Sequence, residues 1–161
     1  MGLLFTGLVL ASLGLALRLC MDRAAENTLQ PGERVVLAEL HDPIPGNAFL
    51  ACPPGYCTAT AAPSPVFALS ADRLVDRWGE MIASESNVFQ VENQPPARRI
   101  VLIQHTPLLR FPDIITVEFV AVAPDRSSLA IYSRARYGRG DFGTNRRRVL
   151  RWLDQLARVA G

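Results

Sequence analysis

The chain has 161 residues, with 17 arginines, no lysine and 15 acids, for a formal net charge of +2. That length suits one compact domain with an N-terminal appendage, and so small a surplus without a recognised nucleic-acid motif argues against nucleic acid as a partner. Charge is unevenly placed: residues 127–161 hold eight arginines against Asp141 and Asp154, while the rest of the chain is net acidic, so an anionic contact is expected in the C-terminal third.

Residues 2–17 are uncharged and mostly apolar, and Arg18 ends the run. Sixteen residues of helix span about 24 Å, short of the ~30 Å hydrocarbon core. If Arg18 snorkels, Leu19, Cys20 and Met21 complete the crossing. A cleaved signal peptide fits less well, because no basic start and no small-residue cleavage site are present. Residues 1–21 are therefore expected to form a single-pass membrane helix. Arg18 and Arg23 favour a cytoplasmic domain by the positive-inside tendency. Cys52 and Cys57 bracket the turn-rich run Pro53-Pro54-Gly55-Tyr56; a bridge there would favour export, and two unrelated thiols are the alternative. The balance is read towards an extracytoplasmic domain.

Residues 22–65 are punctuated by proline and glycine, which predicts an irregular segment with one short strand at 34–40. An α+β domain is expected over 66–161. Ser70 precedes Leu74, Val75, Trp78, Met81 and Ile82 at helical spacing, so it is predicted to cap a helix. Four strands follow, at 88–92, 99–106, 114–122 and 129–137, separated by proline-containing turns. A last helix is predicted over 144–159, with Val149, Leu150, Leu153 and Leu156 as its apolar stripe. This order implies a four-stranded antiparallel meander with two helices packed on one face. In the last strand Leu129, Ile131 and Ser133 share one face, and Tyr132, Arg134 and Arg136 the other. A three-residue connection would pair Phe119 with Ile131 and bring Glu118 diagonally across from Arg134.

The run Ser133-Arg134-Ala135-Arg136 with Gly138, followed by Asp141, Gly143, Asn145-Arg146 and a leucine-bearing helix, resembles the C-terminal signature of the domain of unknown function 1499 family. Cys52-Pro53 through Cys57, and Phe111-Pro112-Asp113 leading into Val117-Glu118-Phe119, fit it more loosely. The likeness covers roughly residues 50–160 and is densest near the C-terminus. Tyr56 departs from the pattern, which usually has Asn before the second cysteine, and alanine and threonine replace the serines expected after it. The family is bacterial and plastid-associated and often membrane-attached or exported, without a settled activity. The resemblance thus implies domain boundaries and a site, but no reaction.

That site is the corner formed by Arg134, Arg136, Gly138, Asp141, Asn145 and Arg146. A helix start already carries positive charge, so each cation there is unfavourable by roughly 0.3–1 kcal/mol. Gly138, Gly140 and Gly143 can take positive φ and let N–H groups converge on an anion, and Asp141 or Thr144 is expected to cap the helix. On the helical wheel Arg147, Arg151, Asp154 and Arg158 point outwards, while Arg146 falls with Val149, Leu150 and Leu153, towards the sheet. Its partner is either a ligand carboxylate, phosphate or lipid headgroup, or one of Asp113, Asp141 and Glu118. Asn145 is expected to bond local backbone.

Catalytic patterns are weak. His41 lies in the breaker-rich segment, His105 alternates with Val101 and Ile103, and Ser133 lacks a nucleophile elbow. Two histidines and three cysteines without ligand-like spacing disfavour zinc, and no cofactor is implied. The leading expectation is a membrane-tethered, non-enzymatic module that binds an anionic small molecule, a lipid headgroup or an acidic protein surface at the arginine/glycine corner. A hydrolase-like enzyme using His105 or Ser133, and a purely structural accessory protein, are the alternatives.

Overall fold

The computed structural model describes residues 27–160. Their strands are β1 (Ala48–Cys52), β2 (Ala62–Pro63), β3 (Val88–Gln94), β4 (Arg99–His105), β5 (Pro112–Ala123) and β6 (Arg126–Ala135), and their helices are α1 (Ala71–Ile82) and α2 (Thr144–Ala160). All six strands form one sheet in the order β2-β1-β6-β5-β4-β3. β1 and β2 run parallel and every other neighbouring pair is antiparallel. The expected four-stranded meander is therefore the larger part of a six-stranded mixed sheet. Its two extra strands come from the segment predicted to be irregular, where each is too short to show clear alternation between the breakers. The strand expected at 34–40 is a 3-10 turn, Leu37–Glu39, whose Leu37 is fully buried. The expected membrane helix lies outside the described residues; among those described, no helix is long and apolar enough to cross a membrane.

Both helices pack on one face of the sheet. Ser70 caps α1 by accepting from the Arg73 N–H, and Leu74, Trp78 and Met81 point inwards from it. They meet Val149, Trp152, Leu153 and Leu156 of α2 over Ile115, Val117, Phe119, Leu129 and Ile131 of the sheet. Trp78 stacks edge-on against Trp152 and Phe119, with ring centroids 5.7 and 6.0 Å apart. Each such side chain contributes roughly 1.5–3 kcal/mol by leaving water.

The opposite face is covered as well, by the chain between Asn27 and Pro65. Leu37, Leu50, Cys52 and Ala59 pack there with Ala130 and Tyr132, and Leu29 packs beside Val101, Ile103 and Ile114. A Cys52–Cys57 disulfide closes the turn at the end of β1. Under this cover Glu118 accepts from the Tyr56 hydroxyl at 2.9 Å and from the Leu37 N–H at 3.3 Å.

The β5–β6 register differs from the expected one by two residues. Phe119 faces Leu129 and Arg134 faces Ile114, because only Pro124 and Asp125 lie between the strands and the ladder is bulged near Ala121. A shift of two preserves facing, so the predicted alternation in β6 holds. It moves Glu118 away from Arg134, however, and Glu118 pairs across the sheet with Arg99 at 3.7 Å.

Candidate functional site

The corner between β6 and α2 holds a closed polar network. Arg148, fully within the helix–sheet interface, reaches the Asp113 carboxylate at 2.5 Å and the Ser133 hydroxyl at 2.9 Å. Ser133 donates in turn to Oδ1 of Asn145 at 2.6 Å, and Arg148 donates to the same oxygen. The Asn145 amide donates to the Asn47 carbonyl at 2.9 Å, while Nδ2 of Asn47 donates to the Gly138 carbonyl at 2.8 Å. The start of β1 is thereby strapped to the loop after β6. Burial pushes the Asp113 carboxyl above its usual range, and the adjacent Arg148 opposes that rise.

Arg148, and not Arg146, is the arginine that α2 turns towards the sheet. Arg146 is exposed, with its guanidinium 5.8 Å from the Phe49 ring centre. The expected stripe was centred on Leu150, which is itself 39% exposed. The buried face runs instead through Asn145, Arg148, Val149, Trp152 and Leu156. Taking Trp152 as its centre would have placed Arg148 inside, at i−4.

The positive helix start finds its anion inside the chain. Asp141 accepts from the N–H groups of Gly143 (2.9 Å) and Asn145 (2.7 Å). Partial burial works against ionisation of Asp141, but these backbone donors outweigh it and hold the carboxyl below its ordinary value. Gly138 and Gly143 have positive φ, as a converging loop needs, whereas Gly140 does not; Phe142 does, at 52°. The two arginines of β6 and its extension also find an internal partner. Both oxygens of Glu33 accept from Arg136 at 2.8 Å, and the Glu33 carbonyl accepts from Arg134 at 3.4 Å. The side chains of Arg136 and Glu33 are almost wholly buried. Glu33 lies in the segment read as irregular and carried no sequence signal linking it to position 136.

Of the six expected site residues, Arg134, Arg136, Asp141 and Asn145 thus spend hydrogen bonds within the protein, Arg146 stands outside, and Gly138 lines a neighbouring cleft. Ser133 is fully buried. His105 is buried too, its Nδ1 2.9 Å from the Arg110 carbonyl and its Nε2 2.8 Å from Oδ1 of Asn27; His41 is exposed. Among the described residues no group of three or more His, Cys, Asp and Glu side chains is placed to hold a metal ion.

The neighbouring cleft, of about 590 Å³, opens between the β4–β5 loop and the loop from β6 to α2. Asp113 and Asp141 belong to its lining, but most of its wall is Leu108, Leu109, Phe111, Tyr137 and Phe142. These five are all exposed, Leu108 to 89% and Phe142 to 98%. Arg110, with φ of 53°, and Arg139 stand in the same two loops, exposed. The sequence reading missed this feature, although Leu108-Leu109 and Phe111 inside a proline-flanked turn are its legible trace.

These features sit on a fold with a defined membership. Residues 45–156 match the family described as "Protein of unknown function (DUF1499)", and the chain belongs to that family. No curated protein matches it. Among solved structures it is similar to a protein from Thermobifida fusca determined by solution NMR, with 13% identity over 71% of this chain and 87% of that one, at a TM-score of 0.42.

Proposed function

We propose that this chain is a non-enzymatic module on a membrane tether, and that it engages an anionic, apolar-bodied partner at the rim of the cleft. The arginine-rich corner then acts as the scaffold that fixes the two rim loops. One observation carries the reading: five large apolar side chains from two separate loops stand in water around a single cleft, beside Arg110 and Arg139. Soluble surfaces rarely leave such a group together without a partner. The scaffold role follows from the buried Asp113–Arg148–Ser133–Asn145 network, whose polar atoms are turned on one another. A Ser133 hydroxyl without solvent access and a His105 engaged at both ring nitrogens favour binding over hydrolysis. The uncharged run at 2–17 supports the tether.

Two measurements test this on the full-length chain. An inserted tether keeps the protein in the membrane pellet after alkaline carbonate washing, and release into the supernatant would refute it. Dodecyl phosphate added to the detergent-solubilised protein should raise the melting temperature followed by circular dichroism. Leu108→Asp with Phe142→Asp should abolish that rise. A rise of equal size with inorganic phosphate alone would shift the site back to an arginine corner, and no rise with either would refute the binding reading.

A further inference from the structure

We infer that the partner of the apolar rim is the bilayer surface itself, so that the domain sits with its β4–β5 and β6–α2 loops against the headgroups and their apolar side chains dipped among them. This rests on the tethered reading above and adds an orientation to it. The described chain begins at the foot of those two loops. Asn27 meets His105, the last residue of β4, and the Thr28 carbonyl accepts from Arg136, just after β6, at 2.8 Å. Only residues 18–26 separate Asn27 from the uncharged run. Nine residues reach no further than about 30 Å even when fully extended. A tether entering the membrane from that run therefore holds this end of the sheet near the surface, and the exposed rim is at the same end.

Chemistry agrees with placement. The rim offers leucines with phenylalanine and tyrosine, the side chains that settle at a membrane interface. Arg110 and Arg139 stand among them, matched to anionic headgroups. The acid of these loops, Asp141, is turned inwards onto backbone N–H groups. At the far end of the sheet the β5–β6 hairpin instead carries Asp125, with Val122 exposed beside it.

The test is depth-dependent quenching in the full-length chain, reconstituted into phosphatidylcholine vesicles containing phosphatidylglycerol and brominated acyl chains. Leu108→Trp and Val122→Trp place a reporter at either end, while the native Trp78 and Trp152 are buried and supply a constant background. The Leu108→Trp reporter should lose most of its emission and the Val122→Trp reporter almost none. Adding Arg110→Glu and Arg139→Glu to Leu108→Trp should weaken the quenching. Protein that floats with the vesicles but shows equal quenching at both ends would overturn the orientation and leave the tether standing. Protein that fails to float would overturn both.

Discussion

Arg148 and Asp113 meet at 2.5 Å between α2 and β5, with side chains 6% and 4% exposed. Removing one member leaves the other charged and buried, which costs about 3–5 kcal/mol. Arg148→Met should therefore lower the urea midpoint strongly. By contrast, Arg146→Ala loses at most an exposed contact with Phe49, about 0.5–1 kcal/mol. The two variants separate a structural lock from the position that the helical wheel singled out.

The same pair predicts a pH effect of definite sign. Burial already holds the Asp113 carboxyl above its ordinary value of 3.8, against the pull of Arg148. With Arg148→Met that pull is gone and the folded-state value rises further. A carboxyl raised on folding favours the native state while protonated, below its unfolded value, and that advantage is lost as pH rises through the folded value. The Arg148→Met deficit relative to wild type should thus be smaller in mildly acidic than in neutral urea titrations. A deficit independent of pH would mean that Asp113 regains a partner or solvent.

Asp141 predicts the opposite slope. Backbone donors overcome its partial burial and depress its carboxyl, so its contribution is present above the ordinary value of 3.8 and fades as pH falls through the lower folded one. Asp141→Ala removes an N-cap and should cost about 0.5–2 kcal/mol at neutral pH. Asp141→Asn should keep most of the cap while losing this part of the acid-limb slope, which urea melts at several acidic pH values would read.

The contrast between these acids marks what the sequence could say. Helices, central strands and the facing of β6 were legible because each is a long periodic run with capping or turn residues beside it: Ser70, Pro124 and Asp141 did their expected work. The Arg148–Asp113 contact was half legible. The helix was certain, yet two candidate stripes fitted it, and Trp152 rather than Leu150 faces the sheet. Glu33 with Arg136 was not legible at all, since 103 residues separate them and Glu33 lies where breakers hide any period. The apolar rim stayed unseen for another reason. Leucine and phenylalanine in a turn look like strand ends until three-dimensional placement shows that nothing covers them.

The disulfide predicts a modest, isolated effect. Cys52 and Cys57 close a short loop, so the chain-entropy contribution is about 2 kcal/mol. Cys52→Ser with Cys57→Ser should lower stability by that amount, and the variant should no longer respond to added reductant. A wild-type melting curve unchanged by reductant would show that the bridge does not contribute.

Tyr56 carries the last prediction, because it fastens the outer cover to the sheet. Burial chiefly, and then its hydrogen bond to Glu118, pushes the phenol up to about 12. A group raised on folding gives its full contribution below its unfolded value, here near 10, and loses it as pH climbs through about 12. Tyr56→Phe deletes a hydrogen bond to a buried carboxylate and should cost about 1.5–3 kcal/mol. Glu118 keeps Leu37 and Arg99 as partners, so the fold should survive. Ultraviolet difference titration of wild type against this variant should isolate one phenol ionising near 12. If the difference spectrum titrates near 10 instead, Tyr56 is in water and the segment before it does not clamp the outer face.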